Sequence, residues 1–423
     1  MRFAARIISL LVLIFITQLL PAQVVPTYFN DIAPILAKNC ITCHQPNKAA
    51  PFSLLTYEDV TKRGDFIAHV VTTRYMPPWK ADISFQHYKN ERSLTEAEIN
   101  MISSWVKGGM PKGKFKKINQ PVAINTVDEK PDLSVSMPEP YTIQSNNTDD
   151  YRFFNLPTNL SEDVFVKKIE FINGNKRLVH HSRLMTDTTQ KVRSIHGMSA
   201  NDPGINKFEQ YPPVDKFLYG WVPGNFPIEF PDGSGKKLFK GSDIILNIHY
   251  APTSQENQKD KSTINFYFTK EKVEREVYSL AIAEESITNP PFEIPANEKK
   301  TFYASFGPLP ITIEVLAVLP HMHYIGKNFR AFAVTPDGDM VPLIRINDWD
   351  FRWQDTYQFK EPQVIPAGSV ILLEALFDNT AANPANPNSP PKTMTYGWNT
   401  TSEMMDLVIY YLLPKSTELN KEK

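Results

Sequence analysis

The sequence is poor in cysteine, in glycine and in net charge. Its 423 residues include 2 Cys and 17 Gly, and the formal net charge at pH 7 is −1. So small a net charge gives no indication of a nucleic-acid or anionic-membrane surface. Two cysteines allow at most one disulfide. Proline, phenylalanine and tyrosine are abundant instead, at 35, 26 and 17 residues, which favours loop-rich β architecture over long helices. A chain of this length predicts about two to four domains.

The first 23 residues have the pattern of a secretory signal peptide. Arg2 and Arg6 precede an apolar run over residues 7–20, and residues 21–23 supply a small-residue exit. The run is shorter than the roughly 20 residues that a membrane-spanning helix needs. The sequence therefore predicts an exported protein, periplasmic or extracellular, without a transmembrane span once residues 1–23 are removed.

Both cysteines lie in one motif, Cys40-x-x-Cys43 followed by His44. This is the attachment signature of c-type haem, in which each thiol bonds a haem vinyl group and the adjacent imidazole becomes the proximal iron ligand. A redox dithiol would not require His44, and it would be expected to follow a buried strand. The motif therefore predicts one covalently attached haem, and it leaves no cysteine for a disulfide elsewhere.

Helical patterns flank the haem motif. Ile32, Ile35 and Leu36 are spaced for one helix face, and Thr95 with Glu98 forms a capping box at the start of a second helix. Residues 24–113 are similar to a class I cytochrome c domain, a small all-α fold.

The sixth iron ligand is expected in the loop between these two helices. Met76 is the first candidate, because prolines beside it stiffen the loop. His69 is the second candidate, and Met101 and Met110 are further alternatives. His87 is given no ligand role. Residues 114–134 then lose apolar periodicity and are predicted to be a linker.

Strand patterns dominate the rest of the chain, and they carry three histidine groups. Residues 244–250 alternate so that His249 lies on the semi-polar face. His321 and His323 are two residues apart, so a strand would project both to one side. His180 and His181 are adjacent and could serve one metal only if the strand ends or bulges there. Imidazole suits copper, zinc, iron and nickel, so these histidines alone do not choose the metal.

Residues 135–415 resemble the copper type II, ascorbate-dependent monooxygenases, which include peptidylglycine α-hydroxylating monooxygenase and dopamine β-monooxygenase. The resemblance rests on six segments in the family's order, namely Val179-His180-His181, Gly220-Trp221-Val222-Pro223-Gly224, Leu246-Asn247-Ile248-His249-Tyr250, His321-Met322-His323-Tyr324-Ile325-Gly326-Lys327, Trp349-Asp350-Phe351-Arg352-Trp353-Gln354 and Glu403-Met404-Met405. It implies two antiparallel, jelly-roll-like β-sandwich domains at 135–277 and 278–415, followed by a tail at 416–423.

The resemblance also implies two copper ions on either side of an open cleft. The electron-transfer copper would be held by His180, His181 and His249. The copper that binds oxygen and substrate would be held by the catalytic residues, which are His321, His323 and Met404. Met405 is the alternative thioether ligand, since the two methionines are adjacent. The implied reaction is hydroxylation of a C–H bond of a small organic substrate with O₂.

Several positions depart from the family pattern. In the peptide-hydroxylating members an arginine that pairs with the substrate carboxylate stands where this chain has Leu319, and an Asn and a Tyr stand where it has Asp406 and Val408. Ser182 and Asn247 replace a methionine and a glutamine. These changes argue against peptides ending in glycine, and substrate identity does not transfer. His196 is given no role.

The complete prediction is a multidomain exported fusion, with a small all-α cytochrome c domain followed by two all-β antiparallel sandwich domains. An external donor would reduce the haem, and the haem would pass electrons to the coppers. The alternative function is a haem and copper electron-transfer or copper-binding protein that hydroxylates nothing. A zinc site or a plain β-sandwich binding module is the third possibility.

Overall fold

The computed structural model describes residues 25–46, 50–114 and 129–415, which fall into two compact units. The described parts of the helical unit are residues 25–46, 50–77 and 94–114. Those of the β unit are residues 78–93 and 129–415. The predicted signal peptide, most of the predicted linker and the predicted tail lie outside the described residues.

The helical unit has a small core of its own. It begins with a π-helical turn, Tyr28–Ile32, and continues with α1 (Ala33–Asn39), α2 (Tyr57–Thr61), α3 (Gly64–Thr72) and α4 (Glu96–Lys107). Ile32, Leu36, Ile102 and Trp105 are at most 1% exposed in this core. The predicted capping box of Thr95 and Glu98 is confirmed, because both of its hydrogen bonds are present. Across the described part of the chain, no helix combines the length and the apolar character that a bilayer span requires.

The β unit is built from short, mostly antiparallel strands, as the alternating sequence patterns predict. The described residues contain the strands β1 (Leu133–Ser136), β2 (Tyr141–Thr142), β3 (Asp150–Pro157), β4 (Val164–Ile172), β5 (Val179–Asp187), β6 (Asp215–Trp221), β7 (Ile228–Glu229), β8 (Ser234–Leu238), β9 (Asp243–Tyr250), β10 (Lys259–Asp260), β11 (Thr263–Phe268), β12 (Arg275–Ile282), β13 (Glu293–Ile294), β14 (Lys299–Phe306), β15 (Ile313–His321), β16 (Gly326–Val334), β17 (Met340–Ile346), β18 (Tyr357–Ile365), β19 (Val370–Asp378), β20 (Met394–Thr395) and β21 (Asp406–Leu412). Short helical segments lie between strands at Arg193–Ile195, Pro203–Asn206, α5 (Lys207–Gln210) and Glu284–Ser286.

The strands stack as two sandwiches that share one long sheet. Within the described residues that sheet has nine strands in the order β1-β11-β4-β8-β12-β21-β15-β18, with β7 paired to β4. Its first part packs against the sheet β3-β9-β5-β6, and its second part packs against β14-β19-β16-β17. A parallel pairing of β8 with β12 joins the parts. The all-β prediction for this region is confirmed.

Residues 78–93, termed the strap, belong to the β unit although they lie between α3 and α4 in the chain. Isolated bridges connect Ala81 to Ile346 and Tyr88 to Phe359. Tyr88 is fully buried, and its hydroxyl donates to the Leu343 carbonyl oxygen at 2.7 Å. By its contacts the strap therefore belongs to the β unit, although it lies within residues 24–113, the span predicted for the cytochrome domain.

Candidate metal centre

His180, His181 and His249 converge on one point. The register between β5 and β9 is irregular between Val179 and His181, which is the bulge that an adjacent histidine pair requires. The His181 Nδ1 atom lies 3.2 Å from the Nδ1 of His180 and 3.4 Å from the Nδ1 of His249. Imidazole nitrogens bound to one tetrahedral metal at ordinary distances are about 3.3 Å apart. The spacing therefore fits a single metal ion.

The protonation of this group also fits a metal. The Nε2 atom of His249 lies 2.7 Å from the Asp149 carboxylate, so it carries the proton and leaves Nδ1 as a bare lone pair. Burial lowers the pKa of His180 to about 3 and lowers the pKa of His181 and His249 as well. Neutral imidazoles crowded with Nδ1 atoms together cannot all satisfy one another by hydrogen bonds. A cation would resolve that conflict.

His321 and His323 form a second group at the end of β15. Their ring centroids are 5.2 Å apart, and burial lowers the pKa of His321 to about 3 and of His323 to about 4. The Nδ1 atom of His321 contacts the Gln354 Oε1 atom, and the Nδ1 atom of His323 donates to the Ser402 carbonyl oxygen at 2.9 Å. Each ring is thus oriented through Nδ1, which leaves Nε2 available as a ligand.

A buried glutamate orders the backbone around this second group. The Glu403 carboxylate accepts hydrogen bonds from the N–H groups of His323, Ile325 and Met404, at 2.8, 2.8 and 3.2 Å. Burial raises the pKa of Glu403 to about 8, although these three donors pull it down. Because one side chain holds both backbone segments, it fixes Met404 relative to His323.

The two adjacent methionines occupy different environments. Met404 lines the cavity that His321 and His323 also line. Met405 is fully buried and belongs to the hydrophobic core of the second sandwich. The geometry therefore favours Met404 as the thioether beside the two histidines.

The two histidine groups lie close together. The ring centroids of His181 and His321 are 6.5 Å apart. Phe351 lies between the groups, stacked on His180 at 5.3 Å and in edge contact with His323 at 5.9 Å. The family resemblance implies an open cleft between the two metal sites. The rings of His181 and His321 are instead close neighbours, and no open cleft separates these two rings.

A cavity opens beside both groups and contains one charge of each sign. Its lining includes His181, His321, Met404 and five aromatic rings, namely Tyr151, Phe153, Phe217, Trp221 and Trp398. Arg183 lies in its wall, with the guanidinium 4.0 Å from the Phe217 ring and two N–H groups donating to the Lys216 carbonyl oxygen. Asp406 is 6% exposed, and its Oδ1 atom has no hydrogen-bond partner among the described residues. Burial raises the pKa of Asp406 to about 7, and Arg183 opposes that rise.

The positions that depart from the family pattern fall both inside and outside this cavity. Leu319 lines the cavity. A Cβ atom built on Gly220 would lie 2.7 Å from the Cδ1 atom of Leu319, so a larger residue at position 220 would require the Leu319 side chain to move. Ser182 and Asn247 also line the cavity. Val408 is fully buried in the core of the first sandwich instead.

In the helical unit, the haem motif follows α1. Cys40 and Cys43 are both half-buried and form no disulfide with each other. Burial raises the pKa of Cys40 to about 12. The Nδ1 atom of His44 lies 3.1 Å from the Phe52 carbonyl oxygen, so this nitrogen carries the proton and Nε2 is available as a ligand. Met76 packs against the helical core, whereas His69 is exposed. Met101 and Met110 also pack against that core.

The remaining predicted non-ligands have other partners. His87 lies in the strap and pairs with Glu91 at 3.1 Å. The Nδ1 atom of His196 lies 3.1 Å from the Asn155 carbonyl oxygen. Sequence reasoning missed Asp149 and Gln354 as partners of His249 and His321. Gln354 lies in one of the segments that resemble the family, and this was the only sequence feature that could have identified it. No sequence feature identified Asp149.

Comparison with known proteins finds distant monooxygenase relatives. DBH-like monooxygenase protein 1 of Homo sapiens is 24% identical over 279 residues, covering 62% of this chain and 44% of that protein. DBH-like monooxygenase protein 2 of Mus musculus is 22% identical over 282 residues, covering 62% and 42%. The chain thus spans less than half the length of the curated relatives it matches.

No family model matches the chain. Among solved structures, the major capsid protein P2 from bacteriophage PM2 aligns over 66% of this chain and 96% of that chain, with a TM-score of 0.24 and 8% identity. That TM-score is too low to bear on the fold. The chain is therefore similar, at 22% to 24% identity, to part of proteins named DBH-like monooxygenases.

Proposed function

We propose that the β unit is a copper-dependent monooxygenase that hydroxylates a C–H bond of a small organic substrate with O₂. The observation that carries the proposal is the convergence of His180, His181 and His249 at metal-ligand spacing, next to a cavity lined by His321 and Met404. Neutral imidazole and thioether donors suit copper, and the thioether favours its reduced form. Bound copper would supply the one-electron chemistry that O₂ activation needs.

The residues of the chain would divide the work between two sites. His180, His181 and His249 would hold the electron-transfer copper, with Asp149 keeping the proton on the Nε2 atom of His249. His321, His323 and Met404 would hold the copper at which oxygen and substrate meet. The aromatic wall of the cavity would exclude water and pack against an apolar substrate body.

Substrate polarity would be matched by the two charged residues of the cavity. The Oδ1 atom of Asp406, which no described residue contacts by a hydrogen bond, would accept one from a donor group of the substrate, and Arg183 would face an acceptor group. A peptide carboxylate is a poor match, because Leu319 stands where the peptide-hydroxylating members have arginine.

We further propose that the helical unit is an exported c-type cytochrome that receives electrons from an external donor and passes them to the coppers. Cys40, Cys43 and His44 would hold the haem, and Met76 would be its sixth ligand. The orientation of His44 by the Phe52 carbonyl oxygen supports this role, because it leaves Nε2 available for iron. Tethering the two units raises their effective concentration without a tight interface.

A metal count on the matured full-length protein, paired with an oxygen assay, tests the proposal. We expect one haem and two coppers per chain, and O₂ consumption matched by hydroxylated product. One haem without copper, or zinc in its place, would refute the monooxygenase and leave only the cytochrome. Haem and copper without any O₂-dependent product would instead indicate the electron-transfer function.

A further inference from the structure

The strap, residues 78–93, is attached to the β unit along its length. The Asp82 N–H group donates to the Arg345 carbonyl oxygen at 2.8 Å, and the Lys89 N–H group donates to the Gln358 carbonyl oxygen at 2.7 Å. The Asp82 side chain also pairs with Arg345 at 2.8 Å. The strap is therefore part of the β unit, and its side chains can act on the residues of that unit.

Near its C-terminal end the strap carries a buried arginine. Arg92 is 6% exposed, and its Nη2 atom lies 2.5 Å from the Asp355 Oδ2 atom in an ion pair whose side chains are 7% and 13% exposed. Its guanidinium lies 5.5 Å from the rings of both Trp79 and Phe226, and Nη1 donates to the Gly224 carbonyl oxygen at 3.3 Å. An arginine held this way fixes its carboxylate partner in position.

That partner is adjacent in the chain to the residue that orients a candidate copper ligand. Gln354 directly precedes Asp355; it is 4% exposed, its Oε1 atom contacts the Nδ1 atom of His321, and its Nε2 atom donates to the Phe351 carbonyl oxygen at 2.8 Å. The ion pair with Arg92 holds the Asp355 side chain, and with it the backbone between Gln354 and Asp355. The side-chain amide of Gln354, which selects the tautomer of His321, is thereby held in position as well.

We infer that Arg92 is a positioning residue for His321, acting through Asp355 and Gln354. The inference rests on the proposed function, since it assigns His321 to a copper site. It also means that the strap supports the metal centre of the β unit, although the residues before and after the strap in the chain belong to the helical unit. Isolated residues 129–423 would then contain all the proposed copper ligands but lack one of their supports.

The test measures copper at the His321 group in the full-length chain, in a His181→Ala background that weakens the other site. Gln354→Leu should reduce copper affinity roughly 10- to 100-fold, as loss of a ligand-orienting partner does. Arg92→Met should reduce it in the same direction and change the Cu(II) electron paramagnetic resonance spectrum in the same way. The double variant should bind no more weakly than Gln354→Leu alone, because both act through one amide. Arg92→Lys should restore part of the affinity.

Asp82→Asn is the matched control, because it weakens a different ion pair of the strap, the one with Arg345, without touching the Asp355 neighbourhood. If Asp82→Asn causes the same loss as Arg92→Met, attachment of the strap is what matters and the inference is wrong. An unchanged affinity and spectrum in folded Arg92→Met would also overturn it. If that variant does not fold, Arg92→Met/Asp355→Leu removes both charges and should still show the spectral change. Absence of copper from the His321 group in the background protein would refute the proposed function instead.

Discussion

The contact between Asp149 and His249 allows a sharp prediction about the first histidine group. The carboxylate lies 2.7 Å from the Nε2 atom of His249, a residue only 1% exposed, and Thr400 donates to the other carboxylate oxygen at 2.9 Å. Partners of this kind fix the tautomer and raise the basicity of the ligand, and losing one costs about 10- to 100-fold in metal affinity. That corresponds to about 1.4 to 2.7 kcal/mol.

Two substitutions should separate charge from hydrogen bonding. Asp149→Asn keeps an acceptor for the Nε2 proton and should lose affinity near the lower limit, whereas Asp149→Leu removes the acceptor and should approach the upper limit. Competition with a Cu(I) chelator at fixed pH measures both. Asp150→Asn is the control, because it removes the charge of a neighbouring carboxylate that accepts hydrogen bonds from Arg152 and Tyr141 rather than from His249. Wild-type affinity in Asp149→Leu, or equal weakening in Asp150→Asn, would refute the reasoning.

Three further predictions concern the other ligands and acid stability. Met404→Ala should lower the copper count from two to one, which metal analysis measures. Met405→Ala should keep two coppers but should lose about 2 to 5 kcal/mol of unfolding free energy, because it leaves a cavity in the core. Denaturant titration measures that loss. Burial raises the pKa of Asp82, but hydrogen bonds from three neighbouring side chains outweigh burial and lower it to about 2. Because this folded-state value lies below the unfolded value of about 3.9, Asp82 should stabilise the fold above about pH 4 and lose that effect as the pH falls toward 2. Acid unfolding of Asp82→Asn should accordingly be less steep. Replacing both Cys40 and Cys43 by Ser should abolish covalent haem on a denaturing gel.

Local sequence patterns predicted local structure well. The alternation over residues 244–250 places Ile244, Leu246 and Ile248 in the core of the first sandwich and His249 on the opposite face beside the other histidines. Periodicity is sufficient there because each face of a strand meets a different environment. The bulge at the histidine pair was predictable for the same reason, since adjacent side chains on a regular strand diverge.

Contacts between distant parts of the chain were not predictable. Asp149 and His249 are 100 residues apart, and Arg92 and Asp355 are 263 apart, so no local spacing relates them. Membership of the strap in the β unit is equally hidden, because the strap has no strong periodicity and is flanked by helical patterns. The close approach of His181 to His321 depends on how two sandwiches share one sheet, which is a property of the tertiary fold.

The histidine cluster also links metal binding to folding. Burial and neighbouring imidazoles both depress the pKa of His181, so protonation cannot relieve the crowding of Nδ1 atoms at neutral pH. With the Nε2 proton of His249 committed to Asp149, its Nδ1 lone pair faces the Nδ1 atom of His181, which can donate to only one of its two neighbours. Buried polar atoms left without partners destabilise the folded state. A cation that binds all three nitrogens would remove this cost and, because the unfolded chain does not preform the site, would stabilise the fold by an amount that grows with the logarithm of its concentration over its Kd. The same conflict of lone pairs that points to a metal site would therefore make a bound ion part of the stability of the β unit.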